Sequence, residues 1–208
     1  MTEKILAVAV SFIVGTISAS GYVGVALLMA IESACIPLPS EVIMPFAGYL
    51  ASTGRFSLIG AAVAGAIGCN LGSTAAYLIG AYGGRPAVLR WGAYVLLDRN
   101  ELEGIDRFFA RFGGASVFIA RLLPIVRTFI SLPAGISQMP FARFQIYTFV
   151  GSLPWCFALA YVGFWLGEAW NTNPTVQSFF HSFDWLVAGL LAAGFAFFLY
   201  RRWRAARA

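Results

Sequence analysis

Two apolar stretches of this chain carry charge and proline where a membrane helix seldom tolerates either, and that combination narrows the fold more than any other feature. Residues 29–50 read MAIESACIPLPSEVIMPFAGYL and hold Glu32 and Glu41. Residues 118–136 read FIARLLPIVRTFISLPAGI and hold Arg121 and Arg127. An ionised side chain in hydrocarbon costs roughly 2.5–3.5 kcal/mol on insertion scales, so it faces a partner or a watery cavity. Pro37, Pro39 and Pro45 break the first stretch, and Pro124 and Pro133 the second. Broken backbone at membrane depth survives only where protein or a cavity covers it. Re-entrant hairpins meet both demands: a short helix in, a turn, another helix out, with two acids on one hairpin and two bases on the other as mutual partners.

The remaining sequence fits a bilayer. Of 208 residues, 60% are hydrophobic and 11% charged, against about 25% charged in soluble domains, which implies an all-α integral membrane protein. Apolar runs near the ~20 residues that span a bilayer occupy residues 57–81, 144–166 and 184–200, with a shorter one at 5–18. Pro154 is expected to kink the third-last of these segments' successor, the 144–166 run, which neighbouring helices can accommodate. Lys4, the apolar run after it and the small residues Ser18, Ala19 and Ser20 resemble a signal peptide. Its weak polar start, and its fit to the topology below, favour a retained helix.

Charge orients these segments. If 5–18 crosses outward, the first hairpin enters from outside, 57–81 returns and the second hairpin enters from inside. Lys4, the Arg85–Arg111 group, Arg143 and the four arginines from Arg201 to Arg207 then all face the cytoplasm, and only Arg55 lies outside. That is the asymmetry of the positive-inside rule, with both termini cytoplasmic. Residues 85–112 mix charges of both signs with Leu102, Ile105, Phe108 and Phe109 at helical spacing, an amphipathic helix on the inner leaflet or packed on the bundle. The terminal RRWRAARA reads as a stop-transfer and anionic-lipid anchor. Scattered arginines without interleaved aromatics argue against nucleic acid as the partner of the net charge of +5. Cys35, Cys69 and Cys156 lie singly in apolar runs and read as small buried hydrophobes, with no metal-ligand spacing and no cofactor fingerprint. His181, the single histidine, has no evident catalytic partner.

The chain also repeats itself. Pro45, Ala47 and Gly48 follow Glu41 as Pro133, Ala134 and Gly135 follow Arg127, and AYLIGAYGG at 76–84 answers AYVGFWLG at 160–167. One unit then covers 21–84 and the other 113–167, joined by the 85–112 connector and followed by the 184–200 helix. Units entering from opposite faces make an inverted repeat, the architecture of secondary transporters with a site at the midplane. A turn at Pro124 would aim Arg121 and Arg127 at one point, and arginine is suited to bidentate phosphate recognition. Glu32 and Glu41 would neutralise them in the empty site, and either could carry a coupling proton. Asn70, Ser73 and Thr74 extend the polar site or serve as helix-packing glue. A purely structural set of ion pairs is the bland alternative, though buried pairs bring little net stability. The small-residue stripe Gly60–Ala64–Gly68 could pack a second subunit in a homo-oligomer as readily as a neighbouring helix.

The patterns E-x(4)-P-x-P-x-E-x(5)-A-G, from Glu32 to Gly48, and R-x-x-P-x-x-R-x(5)-P-A-G, from Arg121 to Gly135, resemble the DedA family, the bacterial branch of the SNARE-associated Golgi or VTT-domain superfamily. The similarity runs from about residue 21 to 167. It implies two opposed re-entrant hairpins, a multi-pass protein of the cytoplasmic (inner) membrane, and movement of lipid between leaflets linked to the proton-motive force. It also implies that the family's essential acids map onto Glu32 and Glu41, where some members carry Asp in place of Glu41, and its essential arginines onto Arg121 and Arg127. The cargo implied first is undecaprenyl phosphate, with Arg121 and Arg127 on its phosphate. A phosphatidylethanolamine flippase or scramblase, a proton-coupled small-solute transporter, an assembly protein and a lipid phosphatase are the alternatives, in that order.

Overall fold

The computed structural model describes residues 2–36, 38–84, 99–123 and 126–167, and all regular elements among them are helical. In chain order these are α1 (Thr2–Ser20), α2 (Tyr22–Ser33), α3 (Ser40–Ser52), α4 (Leu58–Leu78), a π-helical segment continuing α4 (Ile79–Gly84), α5 (Arg99–Arg121), α6 (Val126–Phe129), α7 (Ser131–Ile136) and α8 (Phe141–Leu166). Two are long and apolar enough to cross a membrane: Leu58–Gly83 and Phe141–Leu166, 26 residues each. At 1.5 Å per residue either extends about 39 Å, against a hydrocarbon core of about 30 Å. Their outer faces stay apolar, with Ile59, Ile67, Leu71, Ile146 and Val150 exposed, as lipid requires. The last apolar run at 184–200, the basic tail, His181, residues 85–98, Pro37 and Pro124 lie outside the described residues.

α4 is the centre of the packing and touches α2, α3, α7 and α8. Its small residues set how closely α2 comes: a Cβ on Gly68 or Gly72 would overlap the carbonyl oxygens of Ala26 and Ala30. Gly60 in turn abuts the Tyr22 ring. Two members of the Gly60–Ala64–Gly68 stripe are therefore occupied by the chain's own α2, so the stripe carries no argument for a second subunit.

The breaks fall where only some of the prolines are. α2 ends at Ser33, Cys35 takes a left-handed φ of 67°, and Pro39 is the N-cap residue of α3. Pro45, expected to break the stretch, instead sits inside α3, and Pro133 sits inside α7. Pro133 costs little because it lies in the first turn, where its missing N–H has no intrahelical acceptor. Pro45 forgoes one helical bond, and α3 continues through it because α8 packs tightly there.

Gly48 and Gly135 likewise do not interrupt helices; they let helices meet. A Cβ on Gly48 would strike the carbonyl oxygen of Ala160, and one on Gly163 would strike that of Pro45. The second contact has the same form: Gly135 against the carbonyl of Tyr77, and Gly80 against that of Leu132. In each case the partners three residues earlier on one helix and three residues later on the other form the second half of the contact. α3 thus packs on α8 as α7 packs on the end of α4.

α5 is two helices joined at Gly113, whose φ of 53° no side chain adopts easily. Before it, Phe109 is buried while Arg107 and Arg111 are exposed. Near the far end of α4, Tyr77 stacks on Phe144 with ring centroids 4.7 Å apart, and its hydroxyl donates to the Met139 carbonyl. Tyr77→Phe keeps the ring and strands that carbonyl. It is expected to cost about 1–2 kcal/mol, read as a lowered thermal midpoint in detergent with no change in the apparent oligomeric size.

Candidate functional site

The two arginines are among the most buried side chains in the molecule, at 0% and 1% exposure for Arg121 and Arg127. Arg121 ends α5, and its Nη2 donates to Ser73 Oγ at 2.6 Å and Ser131 Oγ at 2.7 Å. Arg127 sits on α6, where its Nη2 meets Glu32 Oε2 and Cys69 Sγ, both at 3.3 Å. Its guanidinium also lies over the Trp155 ring, 5.3 Å from the centroid, a cation–π contact. Cys69 and Ser73 are one helical turn apart, so they stand on one face of α4. The two guanidiniums are therefore ranked along that face.

Glu32 closes the arrangement from the other side. Its carboxylate accepts from Ser33 Oγ at 3.1 Å and from Thr128 Oγ1 at 3.4 Å as well as from Arg127. The ion pair thereby ties the end of α2 to α6. Glu41 stands half-buried in the first turn of α3. Cys35, at the left-handed turn after α2, donates its thiol to the Thr128 carbonyl at 3.4 Å, a second tie between the same two segments.

On each guanidinium the bonds converge on Nη2. Nε and Nη1 of both Arg121 and Arg127 are buried with no hydrogen-bond partner among the described residues. A buried donor left unpaired is unfavourable by about 1–3 kcal/mol, more when charged, and here four such nitrogens come from two adjacent side chains.

Of the three accessory residues expected on α4, only Ser73 reaches an arginine. Thr74 turns to the Asn70 carbonyl at 2.7 Å and to the Gln145 side chain at 3.0 Å, and Asn70 Oδ1 has no partner. Cys69 is not the inert hydrophobe that its apolar setting suggested, since its sulfur receives Arg127. Ser131, Thr128 and Trp155 carry no signal in the sequence, where Cys69 reads as a buried hydrophobe. The position of Cys69, four residues before Ser73, is the one local signal that marks any of them; the others come together only through tertiary folding.

Comparison with known proteins adds the family context. The profile of the VTT domain matches residues 38–164. The protein named undecaprenyl phosphate transporter A in Bacillus subtilis is 38% identical over 151 residues, covering 73% of this chain and 74% of the relative. Its namesake in Staphylococcus aureus is 26% identical over 159 residues, 74% and 78% of the two chains. A Lactococcus lactis protein named alkaline phosphatase-like is 31% identical over 176 residues, 82% of each. No solved structure is significantly similar.

Proposed function

The chain belongs to the VTT-domain family, and on that premise we propose that it is a membrane lipid transporter carrying undecaprenyl phosphate between the leaflets of the bilayer. The observation that carries this reading is the pair of buried arginines with free Nε and Nη1. Guanidinium donors complement phosphate oxygens in charge and in planar geometry, and the cargo class accords with the names of two relatives. The prenyl tail stays in lipid while the phosphate passes the arginines.

Glu32 and Glu41 are the counter-charges of the empty site. When phosphate takes Arg127, Glu32 loses its cationic partner, and a proton can replace it, which links transport to the proton-motive force. In this reading α2–α3 and the stretch from 114 to 136 are opposed re-entrant hairpins. They head units 21–84 and 113–167 of an inverted repeat, with 85–112 as connector. The paired contacts of Gly48 with Ala160 and Gly135 with Tyr77 support that relation. Positive-inside charge supports cytoplasmic termini in the inner membrane.

The test is translocation of labelled undecaprenyl phosphate and phosphatidylethanolamine in proteoliposomes, with and without a proton gradient, together with release of inorganic phosphate. Gradient-stimulated movement of the prenyl phosphate alone is expected. Equal movement of both lipids would make the protein a scramblase, phosphate release would make it an enzyme, and movement of neither lipid would overturn the transporter reading.

A further inference from the structure

α8 carries polar groups that no contact described so far uses. Thr148 and Ser152 are 0% and 1% exposed, yet among the described residues neither hydroxyl has a hydrogen-bond partner, and the Trp155 Nε1 is also buried and unpaired there. Hydroxyls in apolar helices ordinarily bond back to the carbonyl four residues earlier. Thr16 does so with Phe12 and Thr74 with Asn70. Thr148 and Ser152 do not, so their bonding capacity is held for something else.

Their position says where that something lies. α4 and α8 run antiparallel: Tyr77 stacks on Phe144, Thr74 bonds Gln145, and a Cβ on Gly65 would contact Cys156 Sγ. The stretch of α4 from Cys69 to Ser73, which holds both Nη2 groups, therefore faces the stretch of α8 from Thr148 to Cys156. Gly151 abuts the Cβ and Cγ of Arg121, and Trp155 lies under Arg127. The unused hydroxyls and indole N–H thus belong to the same stretch of helix that packs against both arginine side chains.

We propose that Thr148, Ser152 and Trp155 form a third wall of the anion site, which takes the third terminal oxygen of a phosphate monoester and so separates monoesters from phosphodiester headgroups. The free donors fall into three groups: Nε and Nη1 of Arg121, Nε and Nη1 of Arg127, and the α8 wall. A monoester presents three terminal oxygens, one to each group. A diester presents two, and its second ester oxygen, carrying an alkyl substituent, would meet the hydroxyl wall instead. This inference rests on the phosphate-binding role of the arginines, and it assigns specificity within that role to α8.

Geranyl phosphate and its methyl diester test it at about pH 5, where each carries close to one negative charge because the second ionisation of a phosphate monoester falls near 6, so that they differ in that third oxygen and not in net charge. Binding of each to the purified full chain in detergent is measured for wild type, for Thr148→Val/Ser152→Ala, and for Thr148→Ser/Ser152→Thr, with Trp155→Phe as a separate variant that keeps the ring over Arg127. Wild type is expected to prefer the monoester by about tenfold or more, the yield of one hydrogen bond to a charged group. The Val/Ala variant should bind both compounds within about twofold of each other, and Trp155→Phe should lose part of the preference. The hydroxyl-swapped variant should retain it, which a packing defect would not allow.

A wild-type preference that survives in the Val/Ala variant overturns the wall and leaves the arginine site standing. Failure of wild type to bind either compound overturns both. Inorganic phosphate competing as strongly as geranyl phosphate would keep the wall and reassign its ligand from lipid to a soluble anion.

Discussion

Arg127→Met with Glu32 left in place is expected to lose transport and a large share of stability together. The substitution keeps much of the side-chain stem but removes the ion-pair partner of a carboxylate that is 5% exposed, leaving it the hydroxyls of Ser33 and Thr128 among the described residues. Breaking a buried pair from one side costs about 3–5 kcal/mol, on the order of 10 °C in thermal midpoint for a chain of this length. A dead single variant would therefore say little about transport. The pair Glu32→Gln/Arg127→Met separates the two roles, because it removes the stranded charge along with its partner. The double variant should recover most of the lost midpoint and none of the transport of labelled undecaprenyl phosphate. Recovery of both would reduce the pair to a structural tie between α2 and α6 and remove Arg127 from the transport site. An unchanged midpoint in the single variant would mean that the pair contributes no stability.

Much of this site was legible before any coordinates. Charges in apolar, proline-broken stretches demand partners, and two of the flagged side chains, Glu32 and Arg127, meet in one buried ion pair. Arg121 joins them through α4, one turn from the place where Arg127 docks. What the residues did not reveal was the partition of the bonds. Ser131 and Thr128 are ordinary hydroxyls in an apolar run, and nothing local distinguishes them from Ser137, which caps its own turn on the Ala134 carbonyl. Thr148 and Ser152 were equally silent, since a mid-helix hydroxyl in a membrane segment normally satisfies itself. Two proline readings, at Pro45 and Pro133, differ from the structure for another reason. A proline marks a missing donor, and at Pro133 the first helical turn never needed that donor, while at Pro45 packing against α8 carries the helix through the gap. The glycines that accompany them, Gly48 and Gly135, bring backbones together.

That last point yields the other large effect. Gly48→Ala and Gly135→Ala are each expected to destabilise the protein severely, by about 3 kcal/mol or more, the upper part of the range for overpacking. The added methyl at position 48 would overlap the Ala160 carbonyl oxygen, with the Phe164 backbone nitrogen also close by; at position 135 it would overlap the Tyr77 carbonyl, with the Ala81 nitrogen nearby. The obstacles are backbone atoms, so no trimming of a neighbouring side chain can relieve them, and the helices themselves have to separate. Gly15→Ala is the control, because nothing lies within 4 Å of a Cβ there; in the interior of α1 it should be neutral or gain up to about 1 kcal/mol in helix propensity. Thermal unfolding in detergent reads all three. Comparable losses at 48 and 135 are what two equivalent packing points of an inverted repeat require, since each joins the short helix of one unit to the long helix of the other. A severe loss at one and silence at the other would make the resemblance between the contacts accidental, and the inverted repeat would lose the packing argument that now supports it.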